Sequence, residues 1–543
     1  MDEPKSPATL AEAEPRRVEL DPPPAALVGA EPISHVVMME DHDRAYYAWK
    51  DAGFKDRILV HLDAHLDFDW IAYRDPLSLL KTQNLREVEQ LLAEGSRWNL
   101  ARRRVEELIH VGNYLYPTLN DGLVRSVYWV VPDQVMESQI ERKALVEIFN
   151  ERKKKNPQGV QQLRWKDGKF LAALCGKDVT VCRLQDLPDI HEPVLLNIDT
   201  DYLVVHSFCD PYPYVDPRAL IPWIWPQELV SRLAEKGLTT DFVTIAYSVQ
   251  GGYTPLAFKF LGDDLRRLLE GRPLSEEDHK ILRRKQEAVQ ARQLGKTDET
   301  IAAWERALAL RPREPAIHYN LAELFYEKRC PERASAHYRR ATELDPSYRL
   351  TEDRMSPVNQ IWGLRKKVAA EYQMALAFDP GNADAHTGLG GLLAHQRDWE
   401  RAVSHYNKAL AIEPAHARAR YDLGYIYARH GRWEAAEREL MQALGSRDYE
   451  GLAQFWLGYV YAKTKRWAQA IASYEAALRL GNRNLPLHWS LGGLYLRTGR
   501  VYKAMRQYRR ALRMLAAVPF VLLRRSARHM KNFARRVSNG SLR

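Results

Sequence analysis

One short segment carries residues whose types and spacing suit metal chemistry. In His61-Leu-Asp-Ala-His-Leu-Asp-Phe-Asp69, the residues Asp63, His65 and Asp67 alternate directly after the apolar run Arg57–Leu62. In an extended strand end, side chains two apart point the same way, so all three would converge. Two carboxylates and an imidazole suit a divalent ion that takes mixed nitrogen and oxygen ligands, such as Mn2+. A second run, Val194–Ile198, ends in Asp199-Thr-Asp201 with the same spacing. Five such groups on two strand ends would repel one another without cations, so two divalent ions are expected rather than one. His42, in Val37-Met-Met-Glu-Asp-His-Asp43, is a sixth candidate ligand. It precedes Asp63 by about one helix, as a strand–helix unit requires.

These ligands need a sheet to hold them. Between Ile33 and about Arg267, strand-length apolar runs end in polar clusters: Arg57–Leu62, Val127–Val131, Val194–Ile198 and Phe242–Ala246. Helical stretches such as Ser78–Glu94 lie between them, which predicts a mostly parallel open sheet with covering helices. The segment Glu151–Leu187, with a Lys run and two short strand-like pieces, reads as a hairpin insertion. Residues 1–30 read as a flexible, acidic leader with Pro22, Pro23 and Pro24 in a row.

From about Glu276 the texture becomes helical and repetitive. Alanine recurs at 307, 341, 375, 409, 443, 477 and 511, and glycine at 390, 424, 458 and 492, all at steps of 34. Pro312, Pro346, Pro380 and Pro414 keep the same period. Small residues allow two helices to cross closely, and a proline ends the second helix. The third unit is irregular, because Met355-Ser-Pro-Val358 puts a proline where its first helix belongs.

Charge and composition narrow the class. The 543 residues exceed one ordinary domain, and 45% hydrophobic residues can build cores. The net charge of +10 is local: Gly481–Arg543 holds fifteen Lys and Arg and no acid, leaving residues 1–480 at −5. Nucleic acid is therefore not an expected partner of the whole chain. The basic tail, residues 516–543, suits a cap on the last repeat or peripheral contact with an anionic surface. No apolar run reaches the roughly 20 residues that span a membrane. Cys175, Cys182, Cys209 and Cys330 form neither a disulfide scaffold nor a paired zinc motif, so a reduced, cytoplasmic location is expected.

The ordered set of histidine, Asp-Ala-His-x-Asp strand end and Asp-x-Asp strand end resembles the arginase and ureohydrolase fold. Glu40-Asp-His42, Val111-Gly-Asn-Tyr114, Trp129-Val-Val-Pro132, Asp199-Thr-Asp-Tyr202 and Gly251-Gly-Tyr-Thr-Pro255 look closest to an arginase-like family that includes peptide arginases. These convert arginine side chains of peptides to ornithine. The resemblance spans about Ile33 to Leu269, in a domain taken as 31–270. It implies two Mn2+ ions. His42, Asp63, Asp67 and Asp199 would hold one, and His65 and Asp201 the other, with Asp63 and Asp199 bridging. The 34-residue unit resembles the tetratricopeptide repeat, about seven of them over 276–515, which implies a superhelix whose groove holds a peptide or protein segment.

A metal-activated hydroxide would attack a guanidinium carbon in an arginase-like reaction or an amide carbon in a deacetylase-like one. The departing amine needs a proton, and His110 is the candidate donor. Ordinary arginases place a guanidinium-binding glutamate near a late strand, whereas Ile245-Ala-Tyr-Ser-Val-Gln250 carries no carboxylate. Asp69, Asp210 and Asp216 are possible substitutes, with Asn113 and Tyr253 as further substrate contacts. The expectation is a two-domain hydrolase that releases urea from peptidyl arginine, with the repeats holding the substrate. A small guanidino or acetylamino substrate, or a scaffold with a structural metal module, are the alternatives.

Overall fold

The computed structural model describes residues 26–27, 33, 35–40, 42–68, 114–205, 221–249, 254–271, 274–351, 354–355, 365–482 and 484–516. The helix expected over Ser78–Glu94, the Met355–Val358 irregularity beyond Met355 and the basic tail beyond 516 lie outside them.

The four apolar runs form the inner strands of one nine-stranded sheet. Its members are β1 (Ala26–Leu27), β2 (Val36–Met39), β3 (Arg57–Leu62), β4 (Val124–Val130), β5 (Val160–Lys166), β6 (Lys169–Leu174), β7 (Lys177–Cys182), β8 (Val194–Asp199) and β9 (Thr239–Ala246). They lie in the order β2-β9-β8-β3-β4-β7-β6-β5, with β1 beside the start of β9. The six strands from β2 to β7 in that order are mutually parallel. Every residue of β8 is buried. A parallel strand covered on both faces reads as a continuous apolar run, which is why these strands were visible in the sequence.

Two details differ from the sequence reading. The segment Glu151–Leu187 does not interrupt the sheet but extends it by three strands. β7 is a parallel neighbour of β4, and β6 and β5 continue antiparallel to the edge. The two-residue turns Asp167-Gly168 and Cys175-Gly176 make this possible, since all four residues have positive φ. Such turns match the twist of a hairpin. The leader also ends in order: Ala26–Leu27 pairs antiparallel with Thr239–Thr240.

The C-terminal region is helical throughout its described residues. Helix Glu276–Gln293 opens it, with Ser275 and Asp278 forming a capping box. It pairs with Thr297–Leu310, and further helix pairs follow, from Pro315–Glu327 and Pro331–Leu344 to Leu485–Arg497 and Val501–Ala516. All seven periodic alanines are fully buried. The periodic glycines have the same cause. A Cβ at Gly390 would stand 2.8 Å from Tyr406 Cε1, and one at Gly458 would stand 2.7 Å from Tyr474 Cδ1.

One apolar core joins the sheet to the first repeats. It runs from Leu62, Ile198 and Ile245 through Phe260 and Leu265 to Ala288, Trp304 and Tyr319. The Phe260 and Trp304 rings meet edge to face at 5.9 Å. Beside them, buried Lys285 pairs with Asp264 of the sheet unit at 2.8 Å and Glu314 of the repeats at 2.9 Å. No helix of the described residues is long and apolar enough to cross a membrane.

Candidate metal centre

β3 is the point where the sheet changes direction. The chain goes from β3 to β4 on one side, then returns to place β8 and β9 on the other. In open α/β sheets, ligands bind at the carboxyl ends of strands at such a switch point. The register brings four strand ends level there: Leu62 pairs with Ile198, Ile198 with Ile245, and Ile245 with Met38. The residues that follow, Asp63, Asp199, Ser248 and His42, therefore meet above the sheet.

All six sequence-predicted ligands come together. His42 Nδ1 lies 2.9 Å from Asp199 Oδ2 and 3.5 Å from Asp63 Oδ2, and His42 Nε2 touches Asp67 Oδ2. His65 Nδ1 lies 2.7 Å from Asp201 Oδ2 and 3.7 Å from Asp63 Oδ1. Ligand atoms of His42, Asp63 and Asp199 form one group within 4.8 Å, and those of Asp63, His65 and Asp201 form another. Asp63 belongs to both.

The convergence arises differently from the alternation expected on an extended strand. β3 stops at Leu62, and Asp67 has a φ of +50°. The chain after Leu62 therefore curls, and backbone bonds fix the curl. Asp63 Oδ1 accepts from His65 N at 2.5 Å, Asp201 Oδ1 from Ala64 N at 3.3 Å, and Trp129 Nε1 donates to Asp63 O at 2.9 Å. Asp201 likewise opens the short helix Asp201–Val204, its N–H donating to Asp199 Oδ1 at 2.9 Å. Short polar side chains that bond to backbone two residues on favour such turns.

The electrostatics concentrate negative charge in this cluster. Asp63, Asp67, Asp199 and Asp201 are all buried, and among the described residues no Lys or Arg pairs with them. Burial raises the Asp63 carboxyl well above its ordinary range, with the charges of Asp201 and Asp67 adding to it. Burial also raises Asp201, helped by Asp199. At His42 burial opposes the charged form, but Asp67, Asp199 and Asp63 outweigh it and raise the imidazole. Buried His42 Nδ1, Asp63 Oδ2 and Asp67 Oδ2 make no well-aligned hydrogen bond and face only other members of the cluster. Buried polar atoms without such bonds cost roughly 1–3 kcal/mol each. Four carboxylates and two imidazoles with converging, unsatisfied atoms fit two divalent cations of mixed nitrogen and oxygen preference.

Beneath the ligands lies a polar row that sequence reasoning missed. His61, Asn197 and Thr244 are cross-strand partners and fully buried. Thr244 Oγ1 donates to Asn197 Oδ1 at 2.8 Å, and Asn197 Nδ2 donates to Tyr114 Oη at 2.6 Å and lies 3.2 Å from His61 Nδ1. His61 Nε2 then faces Asp63 Oδ2 at 3.3 Å. Burial and the charge of His42 push His61 down to about 3, so it stays neutral. Tyr114 stacks on His42 at 5.2 Å. Ser248, at a φ of +50°, donates to Asp199 Oδ2 at 2.6 Å. The signal was present: His61 and Asn197 each stand two residues before a ligand, on the same strand face. The proposed donor His110 and the substrate candidates Asp69, Asn113, Asp210, Asp216 and Tyr253 lie outside the described residues.

Comparison with known proteins bears on the helical region. The Tetratricopeptide repeat models match residues 393–448, 421–486 and 466–519, and the TPR repeat model matches 291–328. Among solved structures, MamA from Desulfovibrio magneticus RS-1 shares 18% identity over 31% of this chain and 94% of its own, with a TM-score of 0.27. A Pseudomonas aeruginosa pilF structure shares 17% over 45% and 96%, also at 0.27, and an APC/C Cut9-Hcn1 hetero-tetramer shares 14% over 48% and 60%, at 0.29. No curated protein matches the chain in sequence. A parallel-rich sheet unit thus precedes a region of tetratricopeptide repeats, which generally bind protein partners.

Proposed function

We propose that the sheet unit is an arginase-like hydrolase that converts arginine side chains of a peptide or protein to ornithine and releases urea, while the repeats hold that substrate. The observation that supports it most is the meeting of four buried carboxylates and two imidazoles at the switch point, with no Lys or Arg paired to them among the described residues. His42, Asp63, Asp67 and Asp199 would hold one divalent ion, and His65 and Asp201 a second, with Asp63 and Asp199 shared. When bound, such ions supply Lewis acidity and a water that is acidic near neutral pH.

The chain's own groups supply position and polarity. Asn197 holds the His61 ring so that its Nε2 faces Asp63. Ser248 and the Asp201 N–H fix both oxygens of Asp199. His65 is 23% exposed, the most of the six groups, while its neighbours are buried. Hydrolysis consumes one water per guanidinium. The bond from its carbon to the side-chain nitrogen breaks, the carbon leaves as urea, and the ornithine nitrogen takes a proton, for which His110 is the candidate donor. Peptide held on the repeats would lend remote binding energy to positioning the reacting carbon.

The test is metal analysis of the purified full chain, followed by accurate-mass spectrometry of arginine-containing peptides. Loss of CH2N2 per arginine with urea release is expected. Loss of C2H2O from acetyl-lysine would instead mean amide hydrolysis. Faster urea release from free L-arginine than from peptide would favour a small substrate. A metal-loaded protein inert toward all of these would leave a scaffold.

A further inference from the structure

His395, Arg429, Lys463 and Arg497 stand at steps of 34. Each occupies the last turn of the first helix in its pair. All four are exposed, and among the described residues none pairs with a carboxylate. Other cations of the same repeats are paired, as Arg420 is with Glu439 and Arg466 with Glu437. Lys408, Lys465 and Arg479 are likewise exposed and pair with no carboxylate among the described residues, so what sets the four apart is that they recur at one position of four successive repeats.

Each cation lies four residues, about one turn, after a second periodic position: Gly391, Tyr425, Tyr459 and Gly493. Lys463 Nζ sits 5.4 Å from the Tyr459 ring centre, and the Arg497 guanidinium 5.0 Å from that of Trp467. At the His395 end the same face opens into a cavity of about 430 Å³, lined in part by Val368, Leu392, Ile426 and Tyr425. The room exists because Gly391 has no side chain: the nearest atom to a Cβ there would be Arg418 Nη2, 3.5 Å away. That size lies within the range of ligand sites; Val368, Leu392 and Ile426 give it an apolar wall for such a group, while Arg418 and Asp422 line another part.

We infer that this face binds an extended acidic polypeptide segment, its carboxylates spaced along Arg429, Lys463 and Arg497 and one bulky apolar side chain seated in the cavity beside His395. The inference deepens the reading that the array holds a peptide, and rests on it. Charge complementarity selects an acidic partner and gives one contact per repeat. A single nucleic-acid strand would need open ring faces for its bases. Tyr425 and Trp456 instead meet edge to face at 4.8 Å, and Trp456 and Tyr459 at 5.3 Å, each covering the other.

The experiment is selection from a displayed random-peptide library on the full chain without metal, then affinity measurement with the best labelled peptide. Enrichment of Asp and Glu is expected. The triple variant Arg429→Ala, Lys463→Ala, Arg497→Ala should bind about tenfold more weakly or worse. Added salt should weaken the parent more than the variant. A thermal melt shows that the variant folds, and Gly391→Leu, which fills the cavity, gives a second, charge-neutral loss. Enrichment of neutral or basic peptides, a triple variant that binds as the parent does, or an oligouridine that displaces the peptide would each overturn the inference. Binding is read without turnover. A failure here leaves the hydrolase reading standing, and intact binding without turnover fails that reading alone.

Discussion

Asp199 is bound at both of its oxygens. One accepts the Asp201 N–H, and the other accepts Ser248 Oγ and lies beside His42 Nδ1. Asparagine has the same shape but replaces an anionic oxygen by a donor and removes the charge that two cations would share. Asp199→Asn is therefore expected to lower metal affinity by more than the roughly 10- to 100-fold typical of a group one layer farther out. Metal content after equilibration with Mn2+ measures it, with circular dichroism to show that the fold persists. An unchanged metal content would refute a shared carboxylate. Asp63 and Asp199 were legible as candidate ligands because an acid directly after an apolar run is rarely there for packing. His61 and Asn197 were not, because a polar residue inside an apolar strand declares its partner only when the neighbouring strand is in register.

Two adjacent glycines make opposite demands on one helix. Both Gly390 and Gly391 lie in helix Ala383–His395. A Cβ at Gly390 would press on Tyr406 at 2.8 Å, whereas one at Gly391 would meet nothing closer than 3.5 Å. Alanine favours a helix over glycine by about 1 kcal/mol. Forcing a methyl into a packed crossing costs about 1–3 kcal/mol. Gly390→Ala should therefore lower stability, and Gly391→Ala should leave it unchanged or raise it by up to about 1 kcal/mol. Denaturant unfolding of the two variants compares them directly, and equal shifts would show that the period-34 glycine is not a crossing requirement. The helices and their period were legible because each repeat solves the same local packing problem. The strands of Glu151–Leu187 were half legible: Asp167-Gly168 is a hairpin signal, but nothing in the sequence says which edge a hairpin joins.

At the scale of the molecule, the sheet unit and the repeats are not beads on a string. Lys285 is buried between Asp264 of one and Glu314 of the other. Burial opposes its charge, but the two carboxylates outweigh that and hold it protonated. Burial pushes Asp264 up to about 6. Lys285→Met would remove the nearest cation from two facing buried acids, leaving Arg267 at 3.9 Å from Asp264 and 3.8 Å from Glu314 and Arg311 at 3.5 Å from Glu314, at a cost of up to about 3–5 kcal/mol. Asp264, already raised by burial, would then rise further above its unfolded value. As pH rises the unfolded chain ionises first, so the variant should be least stable at neutral pH and recover as pH falls through the carboxylate range. Thermal melts of variant and parent across that range check the sign. A loss independent of pH would place the role of Lys285 in packing against Phe260 rather than in charge.

The sequence by itself determined the helical period, the apolar inner strands and the candidate ligands, because each depends on neighbours a few residues away. Period, strand burial and an acid at a strand end are local consequences of side-chain size and polarity. Tertiary structure alone decided that β3 and β8 lie side by side, that their loops curl until six groups meet, and that His61, Asn197 and Thr244 share a row. It also decided that the first repeats complete the core of the sheet unit. These facts join residues far apart in the chain, and strand order and register follow from how the whole chain buries its apolar surface rather than from any one segment.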